Sequence, residues 1–435
     1  KYIEAYGMKT IAFFPEGAFG PALNSVGIAQ ACREQGHRAV FICDPGFRGV
    51  FSEYGFEEFE VNLSEPMPPE QAANYWSDFI QQHIPNFHKS AYDQIDNYVK
   101  DCWEAIVDTA KWAQKGLPEV LNEIKPDLIC VDNVILFPAI KQSGVPWVRI
   151  VSCSENEVAD DNIAPYLSGC RENDAAGQER FRRRYQEVLK PIHDEFNNFL
   201  IQCGEAPYPL ANFVEESPYM NLLLYPESAK FNRSKPLDPN RFQYLEGCVR
   251  EDSPFEVPAF EVNSESPLIY VSFGTLGSSD IQLMQRLIDV LGKLPYRVLL
   301  NVGDYIEQYK NVPKNIYIAA WYPQPSVIPH VDMVIHHGGN NSFTECLYFG
   351  KPALIMPYVW DGHDNATRVQ ETNHGLSLHR YNWTDEQMES SLQRLLDDLT
   401  IQDTLKKSSE HMQRQDGPAK AARILTQILE QSSNT

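Results

Sequence analysis

A series of short apolar runs separated by helical segments occurs in the first part of this chain and again in the second. This repeated pattern limits the folds that the chain can adopt. Residues 8–14, MKTIAFF, are predicted as a buried strand, a helical pattern follows at about 25–35, and RAVFICD at 38–44 is predicted as a second strand. This order favours a parallel sheet with helices on both faces. Two more buried strands are predicted at 125–132 and 145–151.

The same plan begins again after a change in composition. Residues 250–267, REDSPFEVPAFEVNSESP, are polar and rich in proline, which is typical of an interdomain linker. The run LIYVSFGTLGSS then starts a second strand, loop and helix. We therefore predict two similar α/β halves, at 8–249 and 268–417. Ligands of open α/β sheets bind beyond the carboxyl ends of the strands, so the cleft between the halves is the predicted binding site.

Composition excludes several classes of function. The 435 residues carry a formal net charge of −22, which argues against a nucleic-acid partner because phosphate backbones require clustered Lys and Arg. The chain has no apolar stretch near the ~20 residues that a membrane-spanning helix needs. The nine cysteines include no C-x-x-C pair, and several lie in apolar runs, which suits a reducing compartment. We expect a cytoplasmic monomer that does not contact membranes.

The run HHGGNNSFTE at 336–345 contains two histidines, two glycines and two asparagines between a predicted strand and a predicted helix. Three interpretations are open. Two adjacent histidines without further ligands at suitable spacing make a weak zinc motif. An Asn or Ser at a helix start is often a plain N-cap. A glycine-rich helix N-terminus at the end of a strand also suits an anion, because its backbone N–H groups are unpaired.

A longer window decides among these interpretations. Residues 321–365 read WYPQPSVIPHVDMVIHHGGNNSFTECLYFGKPALIMPYVWDGHDN. This stretch resembles the donor-binding signature of the family 1 UDP-glycosyltransferases, W-x-P-Q, H-x-G-x-N-S-x-x-E, G-x-P and P-x-x-x-D, at fixed spacing. The resemblance implies the GT-B fold, in which two Rossmann-like domains face each other across a cleft. It also implies that residues 418–435 form a C-terminal helix that returns to the N-terminal domain.

The resemblance implies a set of donor contacts. The Trp321 ring would stack on uracil, the Tyr322 backbone would read the base edge, and Gln324 and Glu345 would bind the ribose. Asp361 would accept hydrogen bonds from sugar hydroxyls, beside Trp360. The diphosphate would be held without a metal ion by residues of two loops, which are Ser272, Gly274, Thr275, His337, Gly339, Asn341 and Ser342. Gly20 is also expected to contact the donor.

Two positions depart from the family pattern. Gly362 stands where the family usually has a Gln that contacts the sugar. Pro21 stands where the family has its general-base His, and proline cannot take a proton. The Asp that would orient that His is retained as Asp132, and we predict that Asp132 takes the proton directly or through water. The alternative is that Asp132 only packs beneath the loop. A phenolic acceptor would need less help from a base than an alcohol.

These residues lead to a prediction of inverting transfer of glucose from UDP-glucose to small lipophilic acceptors such as flavonoids, in detoxification or secondary metabolism. Two other functions fit the same residues: a UDP-sugar-binding protein that has lost catalysis, and a UDP-sugar epimerase on the same fold. The predicted acceptor wall is aromatic and belongs to the N-terminal domain; its candidates are Phe19, Tyr75, Trp76, Phe79, Phe87 and Phe137.

Overall fold

The computed structural model describes residues 7–435. The side chains of Phe19, Ala73, Trp76, Ser77 and Thr275 also lie outside the described part of the structure. Within the described part, two parallel sheets form the centres of two α/β domains. The prediction of the GT-B fold class is confirmed.

The N-terminal sheet has the strand order β3-β2-β1-β4-β5-β6-β7, and every neighbouring pair is parallel. Since the strand order reverses between β1 and β4, their carboxyl ends border a crevice, where Pro15 lies level with Asp132. The strands are β1 Thr10–Pro15, β2 Arg38–Cys43, β3 Glu57–Glu60, β4 Leu128–Asp132, β5 Trp147–Val151, β6 Met220–Leu223 and β7 Phe242–Tyr244.

The C-terminal sheet repeats this topology with the order β10-β9-β8-β11-β12-β13. Its reversal lies between β8 and β11, where Ser272 is level with His336. The glycine-rich loop therefore begins at the carboxyl edge of this sheet. The strands are β8 Leu268–Ser272, β9 Arg297–Asn301, β10 Ile316–Ala319, β11 Met333–His336, β12 Ala353–Ile355 and β13 Gly375–Ser377.

Helices cover both sheets. In chain order the α-helices are α1 Phe19–Glu34, α2 Pro69–His83, α3 Lys100–Ile124, α4 Pro138–Gln142, α5 Ala175–Gln202, α6 Gly274–Gly277, α7 Ile281–Leu291, α8 Gln324–Val327, α9 Asn340–Phe349, α10 Gly362–Glu371, α11 Asp385–Asp397, α12 Leu399–Gln413 and α13 Gly417–Ser433. None of the described helices is both long and apolar enough to cross a bilayer.

The structure corrects three features predicted from the sequence. Helix α1 begins at Phe19, not near residue 25, because proline is tolerated in a first helical turn, where N–H groups have no intrahelical acceptor. Strand β3 was not predicted; its sequence EEFE is polar because it forms the edge of the sheet. Residues 155–215 have a helical sequence pattern, but the helix in this region begins only at Ala175, after a long connection, and ends at Gln202.

Helix α13 packs against α1 of the N-terminal domain. Its apolar residues Ala421, Leu425 and Leu429 join the same core cluster as Ile11 and Phe13 of β1. Residues 245–267 form no regular element, and Phe255, Val257 and Phe260 pack on the C-terminal core. The chain therefore crosses between the domains twice, once through this linker and once through α13.

Candidate active site

The glycine-rich loop holds the His337 ring in a narrow slot at the carboxyl end of β11. A Cβ atom added at Gly274 would lie 3.0 Å from His337 Cε1, and one added at Gly339 would lie 2.5 Å from Nε2. Gly274 also has a φ of +72°, which favours glycine. His337 therefore joins the loop after β8 to the start of α9, two of the segments predicted to contact the diphosphate.

Helix α9 begins at Asn340, and no side chain caps its N-terminus. Asn340 instead donates to the carbonyl of Leu224 at 2.8 Å, while the Asn341 side chain turns toward α1. The plain N-cap interpretation is therefore wrong for these residues. The N–H groups of the first turn remain suited to an anionic ligand.

The two histidines of the loop do not point at one common ligand. Nδ1 of His336 accepts from the N–H of Gly338 at 2.9 Å, and His336 is buried in the sheet. Burial, together with the nearby Arg380 guanidinium, lowers the pKa of His337 to about 4. His337 is therefore neutral at physiological pH and can donate one hydrogen bond to a ligand.

Arg380 is a buried cation near this loop that the sequence did not reveal. It is 1% exposed, donates to the carbonyl of Gly277 at 2.9 Å, and lies 3.5 Å from a carboxylate oxygen of Asp280. Its Nη1 atom has no hydrogen-bond partner among the described residues. Short helix α6 therefore lies between the predicted diphosphate position and a fixed positive charge.

Gln324, Ser342 and Glu345 form one hydrogen-bonded cluster. The Gln324 amide donates to Glu345 Oε2 at 2.6 Å and to Ser342 Oγ at 3.0 Å. Nη1 of Arg250, from the interdomain linker, lies 3.4 Å from the other carboxylate oxygen of Glu345. Burial raises the pKa of Glu345, and the Arg250 charge opposes this change. The cluster could therefore offer a carboxylate and an amide to the two hydroxyls of a ribose.

Trp321 and Tyr322 differ in exposure although they are neighbours. Trp321 is 62% exposed, so its ring is accessible to a flat ligand. Tyr322 is buried, and its hydroxyl donates to the carbonyl of Tyr317 at 2.8 Å. The Tyr322 side chain is therefore not available to a ligand, and a contact with a base edge would have to come from its backbone. Thr275 was predicted at the same site, but its side chain is outside the described residues.

Asp361 lies where the two domains meet. Its Oδ2 accepts from the backbone N–H of Ser154, in the loop after β5, at 3.0 Å. Burial raises the pKa of Asp361 to about 6. The preceding residue, Trp360, has a φ of +58°, and its ring packs 5.8 Å from that of Trp103 and 6.1 Å from that of Tyr166. The Trp360 ring thus packs against the N-terminal domain.

The first helix of the N-terminal domain contacts the donor loop directly. The Asn24 amide donates to Asn341 Oδ1 at 2.9 Å, and the Asn341 amide donates to the carbonyl of Gly20 at 3.4 Å. Pro21 lies in the first turn of α1, beside this contact. An imidazole at position 21, as in the family pattern, would therefore lie close to the contact between the two domains.

Comparisons with known proteins agree with this fold. Residues 285–428 match the family model described as Erythromycin biosynthesis protein CIII-like, C-terminal domain. The chain is 22% identical to demethyllactenocin mycarosyltransferase of Streptomyces fradiae, over 97% of this chain and 87% of that protein. It is also 22% identical to NDP-glycosyltransferase YjiC of Bacillus subtilis, over 96% of each chain. The solved glycotransferase of kitacinnamycin superposes with a TM-score of 0.73 at 18% identity, covering 97% of this chain and 99% of that one.

The chain is a glycosyltransferase. It is an enzyme whose donor is a nucleotide sugar.

A second carboxylate joins the domains of the glycosyltransferase. Asp364, at the start of α10, accepts from the amide of Asn156 at 2.9 Å and from the backbone N–H groups of Leu167 at 2.9 Å and Gly169 at 3.2 Å. Asp364 is 3% exposed, and burial raises its pKa to about 7. This contact fixes the start of α10, and with it Asp361, against the N-terminal domain.

Asp132 of the glycosyltransferase lies at the carboxyl end of β4 and is 5% exposed. Its Oδ2 accepts a short hydrogen bond from the Ser152 hydroxyl, and Ser152 also lies 3.4 Å from the Asn24 amide. Burial raises the pKa of Asp132 to about 7. Asp132 is therefore close to the cleft but largely covered by its neighbours.

The predicted acceptor residues divide into two groups. Phe87 and Phe137 are each 2% exposed; Phe87 packs 4.8 Å from the Tyr358 ring and Phe137 packs 4.9 Å from the Phe14 ring. They do not present an open wall, because Phe137 belongs to the N-terminal core and Phe87 is covered by a small cluster between the domains. Tyr75 is 48% exposed and Phe79 is partly buried. The side chains of Phe19 and Trp76 lie outside the described residues.

Sequence reasoning missed several residues of this site. Glu16, Ser152 and Ser154 reach it from loops that carry no recognised motif, but each is a polar residue within a few positions of the end of a predicted strand. Asp364 lies within the 321–365 window but outside the signature positions. Arg380 gave no comparable signal, since it follows β13, a strand that was not predicted.

Proposed function

We propose that this glycosyltransferase transfers glucose, with inversion, from UDP-glucose to hydroxyl groups of small phenolic acceptors. One observation carries the choice of nucleotide: the buried cluster of Gln324, Ser342 and Glu345, near the exposed Trp321 ring. The remaining lone pairs of this carboxylate can accept from both hydroxyls of a ribose, whereas a deoxyribose offers only one donor, so the cluster favours ribose.

The aromatic surroundings of the cleft support a phenolic acceptor. Phe79, Leu276 and Trp360 are partly buried apolar residues that pack around one small cluster between the domains. Aromatic side chains of this kind stack on flat aglycones. A phenol also suits a site that lacks the family imidazole, since it loses its proton more readily than an aliphatic alcohol. Detoxification or secondary metabolism would be the corresponding role.

The proposal is tested by incubating the purified protein with UDP-glucose, UDP-galactose or TDP-glucose and a panel of flavonoids and simple phenols. We expect a β-glucoside and free UDP, identified by mass spectrometry and NMR, with UDP-glucose as the preferred donor. Preference for TDP-glucose would refute the ribose argument. Donor binding without product would favour the sugar-binding alternative, and an altered nucleotide sugar would favour the epimerase.

Trp321→Ala is expected to weaken UDP binding about tenfold or more, because base stacking on an aromatic ring contributes ~1–3 kcal/mol. Isothermal titration calorimetry with UDP measures the change. Tyr317→Ala provides a matched control, since Tyr317 is a 48% exposed aromatic residue of β10. Equal UDP affinity in the Trp321 variant and the control would remove Trp321 from the donor site.

Activity is expected to persist in excess EDTA. The leaving diphosphate would be stabilised by the first-turn N–H groups of α9, the His337 ring and the fixed charge of Arg380, with no metal ion required. Initial rates are compared in EDTA and in EDTA followed by excess Mg²⁺. Loss of all activity in EDTA, with recovery on adding the ion, would show that the diphosphate site is wrongly assigned.

A further inference from the structure

Glu16 is the first residue after β1 and lies at the switch point of the N-terminal sheet. Two backbone hydrogen bonds fix its position: its N–H donates to the carbonyl of Asp132 at 2.8 Å, and its carbonyl accepts from the N–H of Ala18 at 2.8 Å. Its side chain is partly exposed. Glu16 therefore lies next to Asp132, in the short connection between β1 and α1, the helix that carries Pro21.

Three carboxylates meet in this part of the cleft, and two of them are occupied. Asp132 accepts from the Ser152 hydroxyl, and Asp361 accepts from the Ser154 N–H. The Glu16 carboxylate forms no hydrogen bond or ion pair with any residue that the structure describes. Of the three, Glu16 is the one with both oxygen atoms available to a substrate.

Burial, together with the charged groups that face Glu16, makes its carboxylate an unusually strong base. Burial raises its pKa to about 8, with further contributions from the charges of Asp132 on β4 and Asp361 of the C-terminal domain. The Cys153 thiol, after β5, also faces it, while the Arg149 guanidinium on β5 offsets part of the Asp132 charge. A base whose pKa lies near the working pH accepts a proton most effectively in a transition state.

We propose that Glu16 is the catalytic base of this glycosyltransferase and receives the acceptor proton in place of the imidazole that Pro21 excludes. The inference rests on the proposed transfer reaction. The acceptor O–H proton passes to the Glu16 carboxylate as the oxygen lone pair forms a bond to the anomeric carbon. The bond from that carbon to the diphosphate breaks, and its electron pair leaves with UDP. The protonated Glu16 then returns its proton to solvent.

This assignment gives Asp132 a different role from the one predicted from the sequence. Asp132 is more buried than Glu16 and already bonded to Ser152, so its negative charge acts on the substrate through Glu16. It is a positioning residue that keeps the neighbouring carboxyl basic. The two roles predict different pH dependences, which makes them separable.

The test measures kcat/KM against pH for the wild type, Glu16→Gln and Asp132→Asn, with UDP-glucose and a weakly acidic phenol. In the wild type, the rate is expected to rise with pH through an apparent pKa near 8. Glu16→Gln should lose about 10²–10⁴-fold in kcat and lose this rise altogether. Asp132→Asn should keep the rise but move it to lower pH, because one negative neighbour is gone.

Four controls distinguish loss of the catalytic base from damage to the fold or to the donor site. Calorimetry should give unchanged UDP affinity in Glu16→Gln, and Glu65→Gln, at an exposed loop position of the same domain, should behave as wild type. Glu16→Asp should retain the pH-dependent rise at reduced rate. With a strongly acidic nitrophenol as acceptor, the loss in Glu16→Gln should shrink, because that acceptor is already ionised.

The inference is overturned if Glu16→Gln keeps the rise with pH, or if Asp132→Asn abolishes it while Glu16→Gln only shifts it. Equal losses in Glu16→Gln across weakly and strongly acidic acceptors would likewise show that the side chain is structural. These outcomes differ from failure of the proposed function, in which the wild-type protein itself forms no glucoside from UDP-glucose.

Discussion

Gly339→Ala is expected to lower kcat/KM for the donor by about 10²–10³-fold, the loss that follows removal of one preorganised hydrogen-bond donor from a transition-state site. The new Cβ atom would lie 2.5 Å from Nε2 and 2.9 Å from Cε1 of His337, so the ring must leave its slot. The backbone itself is not strained by the change, because Gly339 has a φ of −54°. A decrease in kcat/KM would therefore measure the contribution of the His337 ring. Steady-state kinetics with UDP-glucose, with calorimetry of UDP, measures it.

Gly116→Ala is the matched control. Gly116 lies inside α3, and a Cβ atom there would meet only Val61, at 3.8 Å. We expect wild-type activity and a gain of about 0.5–1 kcal/mol in unfolding free energy, since alanine is favoured over glycine in a helix. Wild-type kinetics in Gly339→Ala would show that His337 does not contact the donor.

The free energy of unfolding is expected to decrease as pH rises from about 5 to about 8.5, by on the order of 2–4 kcal/mol for each fully buried carboxyl of the cleft. Asp132 and Asp364 are 5% and 3% exposed, and burial raises the pKa of each to about 7. The folded protein holds these protons where the unfolded chain has released them. Their stabilising contribution is therefore complete below about pH 4 and is lost as pH rises through about 7.

Asp132→Asn tests whether ionisation of Asp132 lowers the free energy of unfolding as pH rises. The Ser152 hydroxyl can still donate to the amide oxygen, but the group no longer ionises. The variant should show a shallower decline and should be more stable than the wild type above about pH 8. Denaturant unfolding across the pH series measures the difference, with Asp78→Asn on the exposed face of α2 as the control. Parallel curves for wild type and Asp132→Asn would contradict the raised pKa.

The sequence allowed much of the sheet architecture to be predicted because the central strands are buried on both faces. Runs such as LICVD in β4 and LIYVS in β8 are apolar along their whole length, so they stand out without an alternating pattern. The edge strand β3, EEFE, has no such run, since one of its edges meets solvent. The start of α1 was misplaced because the Gly20-Pro21 pair is typical of turns as well as of first helical turns.

The residues proposed to bind the donor were easier to find in the sequence than the residue proposed to accept the proton. Trp321, Gln324 and Glu345 belong to one continuous motif, so their spacing is readable along the chain. The contact between Asp361 and Ser154 joins residues 207 positions apart, and its existence depends on how two domains meet. Glu16 was overlooked for a related reason: its significance depends on Asp361, a charge of the other domain.

Helix α13 has a consequence for how this protein is made on the ribosome. Leu425 and Leu429 complete a core cluster that contains Ile11 and Phe13 of the first strand. The N-terminal domain cannot close that core until residues 417–433 have been synthesised, so its apolar face stays uncovered while the whole C-terminal domain is translated. Folding of the two domains is therefore coupled late in synthesis, and ribosome-bound chains that stop before α13 should be the ones that chaperones retain.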